Sequence, residues 1–286
     1  MQHGPAVRRR KLGAELRALR TSAGLTSGEA ARLAGWHQSK VSRIETGTSG
    51  VRPADVRLLL DVYGVADPQL RELLLVLSGT GDGGDRHHWW HAYRGVLPPT
   101  YRDFISLESQ ASAMRTLETT VIPGLLQTPE YARAVTEAAL EGASEERLDT
   151  LVEVRLARQD ILHAEPPLEL SAVLDEAVLR RQVGGPGVMA RQLSRLVEAA
   201  RLPQVRLQVM PFGAGAHIGV TGPFVIFSFS RTSDLDVVVL DHLTSSLHLE
   251  RKEDLRAYSE AFNTLSIHAL SPEESLEFIA GAAAGA

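Results

Sequence analysis

Residues 25–47 read LTSGEAARLAGWHQSKVSRIETG and contain the signals of two short helices joined by a tight turn. Thr26 and Glu29 fit a capping box, in which the hydroxyl accepts a hydrogen bond from the Glu29 amide and the carboxylate reaches back to the cap. Gly35 supplies the turn after this first helix, because glycine readily adopts the left-handed conformation that ends helices. The second helix, over residues 38–45, has an apolar side and a polar side.

Amphipathic periodicity predicts three further helices around this pair. One helix precedes it and is marked by Leu12, Leu16 and Leu19. Two helices follow it, the first opened by Pro53 and the second rich in leucine from Leu70 onwards. Five short helices with a tight turn between the second and third form the helix-turn-helix layout.

The third helix has a polar side that fits a DNA major groove, which is wide enough for one helix. Its outer residues are Gln38, Ser39, Ser42 and Arg43, with Lys40 flanking them. Gln38 can pair with N6 and N7 of adenine, and Arg43 can donate two hydrogen bonds to O6 and N7 of guanine. Ser27, at the start of the second helix, can bind a phosphate through its amide and hydroxyl.

The charge of the chain is divided between a basic head and an acidic body. Residues 1–78 contain 12 Lys and Arg against 7 Asp and Glu, a net charge of +5, whereas residues 79–286 have a net charge of −10. We therefore expect only the head to meet a polyanion. The basic run at residues 8–11 can add phosphate contacts or a minor-groove arm. Alanine at Arg9 or Lys40 should then weaken binding to every DNA sequence and flatten its salt dependence.

Residues 25–47 resemble the phage-repressor-like family of helix-turn-helix proteins, the Cro/C1 or XRE group. The resemblance extends over about residues 12–66. It implies that Gln38, Ser39 and Arg43 occupy the base-reading positions of the recognition helix.

The same resemblance implies roles for four residues outside base reading. Ser27 occupies a phosphate-contacting position, where many members of the family carry Gln, and Thr48 lies in a loop that also touches the DNA backbone. Arg20 and Glu45 match a buried ion pair between the first helix and the end of the third. Breaking one side of such a pair is expected to be costly.

The rest of the chain begins with a glycine-rich linker over residues 79–86, which contains four Gly. Helical patterns dominate residues 87–165, including a helix over residues 101–118, and strand patterns appear among helices over residues 166–286. We therefore expect an all-α helix-turn-helix domain at residues 1–78, joined to an α+β C-terminal domain that consists of a helical subdomain and a small sheet.

An aromatic and histidine-rich segment follows the linker. His87 and His91 have the i, i+4 spacing of two metal ligands, but one helical pair is an incomplete ligand set. Trp89, Trp90 and Tyr93 fit core packing better than the lining of a ligand pocket. The pattern therefore favours a packed helix, with neither a metal nor a cofactor.

Catalytic candidates are scattered through the body. The acid and base candidates are Asp175, Glu176, His217, Asp241 and His242, and the hydroxyl candidates are Ser171, Ser228 and Ser230. None of the serines lies in a nucleophile-elbow pattern, and the glycine turn at residues 184–187 lacks the spacing of a phosphate or dinucleotide loop. We expect no enzyme activity; an enzyme tethered to a DNA-binding head is the alternative.

The body resembles a second family. The motifs that carry the resemblance are Trp89-Trp90, Leu107-Glu108, residues 121–132, Arg155 with Arg158-Gln159, and residues 174–180. They are similar to the C-terminal domain of WhiJ-like, antitoxin-like transcription regulators of actinomycetes. The resemblance implies a role in development or antibiotic production and a small partner protein bound by this domain; it implies no catalytic residues.

Together these patterns predict a cytoplasmic, nucleoid-associated, repressor-like regulator that binds double-stranded DNA at a pseudo-palindromic operator as a homodimer. The C-terminal domain is expected to dimerise and to bind a small cognate protein or a small-molecule effector. An antitoxin that neutralises its partner and regulates its own gene is the alternative. The chain has no Cys and no apolar run near the ~20 residues of a membrane helix, so disulfides and membrane insertion are not expected.

Overall fold

The computed structural model describes residues 4–78, 89–93, 95–229, 236–242 and 245–284. It divides into two compact units, residues 1–89 and residues 90–286. The predicted linker at residues 79–86 lies outside the described residues, as do His87 and Ser230 and the side chains of Arg9 and His91.

The described part of the first unit contains the five predicted helices. They are α1 (Gly4–Ser22), α2 (Ser27–Leu33), α3 (Gln38–Glu45), α4 (Pro53–Val62) and α5 (Pro68–Leu77). Their core is aliphatic and includes Leu12, Leu16, Ala30, Val41, Ile44, Leu59, Leu60 and Leu74, each at most 2% exposed. The all-α architecture of the head is therefore confirmed.

Local signals set the ends of α2. The Thr26 hydroxyl accepts a hydrogen bond from the Glu29 amide at 3.2 Å, and the Glu29 carboxylate accepts one from the Thr26 amide at 2.8 Å. The predicted capping box is thus confirmed. Gly35, with φ of +69°, makes the turn towards α3.

One close approach between α1 and α3 was not predicted. A Cβ at Gly13 would lie 2.4 Å from the carbonyl oxygen of Ile44 and 2.6 Å from that of Glu45. Only glycine permits this contact, so Gly13 sets the distance between α1 and the end of α3. An isolated glycine inside a helical pattern is the sequence signal that could have revealed it.

The second unit combines helices with one mixed sheet. Its elements are α6 (Pro99–Glu108), β1 (Ala113–Glu118), α7 (Pro129–Ala139), α8 (Glu145–Ala157), β2 (Glu169–Asp175), α9 (Glu176–Arg180), α10 (Pro186–Ala199), β3 (Val205–Met210), β4 (Phe224–Ser228), β5 (Val237–Asp241), β6 (Ser246–Leu249), α11 (Lys252–His268) and α12 (Pro272–Ala284). This confirms an α+β body, with a sheet of six strands.

The strand order in the sheet is β3-β2-β1-β4-β5-β6. Strands β1, β2 and β3 are parallel, and β4, β5 and β6 continue the sheet in antiparallel pairs. One face of the sheet packs against α11 through a cluster of Leu117, Val173, Met210, Phe224, Ile226, Val238, Phe262 and Leu265.

The predicted helix over residues 101–118 is wrong in its second half. The helix ends at Glu108, and residues 113–118 form β1, which pairs with β2 on one side and β4 on the other. Apolar residues in this segment happen to fit a helical period, but pairing with a strand on each side overrides local preference. The sheet therefore takes one of its two central strands from residues 87–165, the segment predicted to be a helical subdomain.

Candidate nucleic-acid interface

The outer face of α3 is polar and accessible. Its exposed side chains are Gln38, Ser39, Ser42 and Arg43. Val41 and Ile44 lie on the opposite side and are buried in the head. The structure therefore places these four predicted DNA-facing residues on one exposed strip.

Gln38 and Ser27 are in direct contact. The Gln38 Nε2 donates a hydrogen bond of 2.9 Å to the Ser27 Oγ, which joins the first residue of α3 to the first residue of α2. A side-chain amide nitrogen has two hydrogens, so this bond leaves Gln38 one donor and its carbonyl oxygen for a base. The predicted base contact and the predicted phosphate contact thus lie side by side.

Arg43 is held in a defined direction by its own helix. Its Nε donates to the carbonyl oxygen of Ser39, one turn earlier, at 3.2 Å. This bond fixes the plane of the guanidinium and leaves the two terminal nitrogens for a bidentate partner. The side chain is exposed, as a contact to guanine requires.

Thr48 lies in the loop after α3 and bonds to the end of that helix. Its amide and its hydroxyl donate to the Arg43 carbonyl oxygen at 3.0 and 3.2 Å, and the Thr46 hydroxyl donates to the Ser42 carbonyl oxygen at 2.8 Å. These bonds satisfy carbonyl groups that the last turn of a helix leaves open. The loop expected to touch the DNA backbone is therefore fixed to α3.

Arg20 and Glu45, which the resemblance pairs, form a bidentate ion pair. The Arg20 Nε lies 2.7 Å from the Glu45 Oε1, and the Nη2 lies 3.0 Å from the Oε2. Arg20 also donates to the Leu25 carbonyl oxygen at 2.6 Å, and the Tyr63 hydroxyl donates to Glu45 at 3.4 Å. The hydrogen bonds to Glu45 raise the pKa of Arg20, and burial raises the pKa of Tyr63. The pair ties the end of α3 to α1.

Lys40 differs from the other predicted contacts because it turns towards α4. Its Nζ lies 3.1 Å from the Asp55 Oδ1 and 3.5 Å from the centre of the Trp36 ring. Its side chain is 34% exposed. The ammonium group of Lys40 is therefore bound by side chains within the head.

The body contains a second buried ion pair, between Arg158 and Glu108. Two nitrogens of Arg158 lie 2.7 Å from the two carboxylate oxygens, and a third donates to the Tyr101 hydroxyl at 2.7 Å. The guanidinium also stacks on Phe104, 5.1 Å from the ring centre. Burial lowers the pKa of Arg158, but Glu108 and Tyr101 raise it more strongly, so the net shift is upward. The sequence motifs contained both residues but did not predict this contact.

Further hydrogen bonds hold the loop motif at residues 121–132, close to this pair. Gln159 donates to the carbonyl oxygens of Gly124 and Gln127 at 3.2 and 2.7 Å. Gln192 accepts from the Thr128 amide at 2.7 Å. These bonds tie the loop after β1 to the segment that follows α8 and to α10.

Glu118, the last residue of β1, has a shifted pKa. Burial raises the pKa of Glu118 to about 8, although the Thr116 hydroxyl, which donates to it at 3.1 Å, acts in the opposite direction. The Asp241 carboxylate raises this pKa further. This environment therefore favours the protonated form of the side chain more than an exposed position would.

Two of the catalytic candidates come together. The His217 Nε2 lies 3.9 Å from the Asp175 Oδ2. Both side chains also serve local structure, because Asp175 accepts from the Ala177 amide at 2.8 Å and His217 accepts from the Gly219 amide at 3.2 Å.

The other candidates lie apart or have structural contacts. Asp241 and His242 are exposed at the end of β5, Glu176 accepts from the Phe212 amide at 2.9 Å, and Ser228 donates to Asp236 at 3.1 Å. Ser171 is half-buried in β2. Among the described residues, no three His, Asp or Glu side chains are grouped to hold a metal ion.

The glycine turn and the aromatic segment also have packing roles. Gly185, at residues 184–187, precedes α10 as its N-cap. Trp90 is 2% exposed, and the Tyr93 hydroxyl donates to Glu153 at 2.9 Å. No helix within the described ranges is long and apolar enough to cross a membrane.

The polar strip on α3, carried by a head of five helices, defines a helix-turn-helix DNA-binding regulator. Residues 11–74 match the family described as a helix-turn-helix domain. Residues 101–281 match the domain of unknown function DUF5753, and the chain belongs to this family. No curated protein and no solved structure matches the chain.

Proposed function

We propose that the protein is a sequence-specific, repressor-like transcription regulator that reads an operator with α3. The observation that carries this proposal is the exposed strip on α3, where Arg43 is oriented by Ser39 and Gln38 is bonded to Ser27. Side chains that are exposed and already oriented lose less entropy on binding than free ones.

The strip divides into base contacts and backbone contacts. Gln38 would pair with adenine and Arg43 with guanine, each worth roughly 1–3 kcal/mol of discrimination. Ser39 would contact a neighbouring base. Ser27 and the loop at Thr48 would bind phosphates, which fix the register of the helix in the groove.

A single head of this size supports only part of a stable complex, because one small module buries about 600–1,000 Å² on DNA. We therefore propose a homodimer on a pseudo-palindromic operator. The body, with a net charge of −10 over residues 79–286, is repelled by DNA and is assigned to dimerisation and to binding a cognate protein or small effector. Such a regulator would act in the cytoplasm, at the nucleoid.

Selection from random DNA duplexes tests this function with the full chain. We expect enrichment of a short motif repeated with two-fold symmetry, with half-sites about 10–10.5 base pairs apart or a multiple of that distance. Native mass spectrometry of the complex should give two chains per duplex. Recovery of sequences with the composition of the input pool would contradict sequence-specific binding.

A further inference from the structure

Lys40 lies on the recognition helix, yet its ammonium group has two partners inside the head. The Asp55 carboxylate, in the first turn of α4, is 3.1 Å away, and the ring of Trp36, in the turn between α2 and α3, is 3.5 Å away. The Asp55 side chain is 18% exposed. A lysine held by a carboxylate and an aromatic face at once is fixed in direction, unlike an exposed one.

A further charged side chain, from the N-cap residue of α4, lies beside this contact. The Arg52 Nε lies 3.8 Å from the other carboxylate oxygen of Asp55, and the Arg52 side chain is 86% exposed. Arg52 is therefore a loosely held cation at the same carboxylate, whereas Lys40 is the closer and more buried one. The two residues form a natural pair of test and control.

The contact joins three elements that a DNA-reading helix depends on. Lys40 connects the turn before α3, through Trp36, to the start of α4, through Asp55. At the other end of α3, Glu45 is tied to α1 by Arg20. Contacts therefore hold α3 near both of its ends, and a rotation of α3 about its axis would lengthen one of them.

We propose that Lys40 is a positioning residue, which sets the orientation of α3 through Trp36 and Asp55, and that it does not bind a phosphate. This inference rests on the proposed function. It replaces the sequence-based expectation that Lys40 contributes a phosphate contact.

A Lys40 that binds phosphate and a Lys40 that positions α3 predict different salt dependence of DNA binding. A lysine that neutralises a phosphate contributes about one unit to the slope of log affinity against log salt concentration. A positioning lysine contributes nothing to that slope. Its loss instead tilts α3, so the preference for the correct base pairs falls while general attraction to DNA stays the same.

The test is a double-mutant cycle of Lys40→Met and Asp55→Asn in the full chain, with Arg52→Met as the control. Affinity is measured by fluorescence anisotropy on the duplex selected by the wild-type protein and on a duplex with one substituted base pair. We expect Lys40→Met, Asp55→Asn and the double variant each to lower the ratio of the two affinities by a similar factor, about 3- to 10-fold. Arg52→Met should leave the ratio unchanged.

The salt slope and the melting temperature separate the competing roles. We expect the slope of Lys40→Met to equal that of the wild type. A slope reduced by about one, with an unchanged affinity ratio in Asp55→Asn, would overturn the proposal in favour of a phosphate contact. A lower melting temperature with unchanged affinity ratios in all folded variants would also overturn it, because the contact would then serve stability alone. A wild-type chain without any sequence preference would refute the proposed function itself, before any variant is measured.

Discussion

Both units of the chain bury a bidentate arginine–glutamate pair, but the two pairs have different surroundings. In the head, the side chains of Arg20 and Glu45 are 11% and 4% exposed, and the pair lies at the end of α3. In the body, those of Arg158 and Glu108 are 5% and 2% exposed, and aromatic rings pack against the guanidinium. One pair borders a surface that can meet DNA, and the other is enclosed in a polar network.

Because their surroundings differ, the two ion pairs have different roles. Breaking a buried pair leaves an uncompensated charge, and the cost rises with burial. The pair in the body therefore acts on stability. The pair in the head acts on stability and also on the position of α3, since Glu45 is the last residue of that helix.

The largest effect is expected for Arg158→Met. The substitution keeps most of the side-chain volume but leaves Glu108 buried without its cation, so the second unit should lose about 3–5 kcal/mol of unfolding free energy. Hydrogen exchange measured over residues 99–118 reports this loss.

The matched control is Arg180→Met. Arg180 forms an ion pair with Glu176 at 3.1 Å, but its side chain is 57% exposed. Its loss should change stability by at most ~1 kcal/mol. If both variants lose the same small amount of unfolding free energy, the pair between Arg158 and Glu108 does not stabilise the second unit more than an exposed pair does.

A smaller effect is expected for Arg20→Met, because Glu45 keeps the Tyr63 hydroxyl as a partner. Hydrogen bonds to charged groups contribute about 1.5–3 kcal/mol, and the head should lose an amount in this range. Arg17→Met, on the exposed side of α1, is the control.

DNA binding distinguishes the pair in the head from the pair in the body. At a temperature where the head remains folded, Arg20→Met should still weaken binding to the selected duplex, because the end of α3 has lost its contact with α1. Unchanged affinity in the folded variant would show that the pair in the head serves stability only, like the pair in the body.

The last effect on stability concerns pH. Burial raises the pKa of Glu118 from the ordinary value of 4.5 to about 8. Between these values the folded chain keeps a proton that the unfolded chain has released, so stability falls as pH rises from about 4.5 to about 8. The slope from one such group is at most ~1.4 kcal/mol per pH unit.

Glu118→Gln isolates this contribution, because glutamine has nearly the same shape and does not titrate. Urea unfolding at pH 6 and at pH 8 should show a larger loss in the wild type than in the variant. Equal losses would mean that Glu118 is ionised in the folded chain across this range.

The head could be predicted in detail because its signals are local. The capping box at Thr26 and Glu29, the turn at Gly35 and the spacing of Val41 and Ile44 each act within a few residues. The body depends on pairing between distant segments. Arg158 and Glu108 are 50 residues apart, and β1 is a strand because β2 and β4 flank it. Neither contact leaves a local signal.

Lys40 shows the same limit of sequence-based prediction within the head. Its position on the helix predicted a side chain that faces DNA. Asp55, on a later helix, brings a carboxylate within 3.1 Å of it, and a helix pattern cannot show which residue of another element comes near.

Arg43→Ala shows whether α3 reads base edges. Affinities of the wild type and the variant are compared on the selected duplex and on every single base-pair substitution of it. We expect a loss of about 1–3 kcal/mol of discrimination at one base pair in each half-site, with preferences elsewhere retained. If Arg43→Ala keeps the wild-type preference at every position, α3 does not read DNA in the way proposed here.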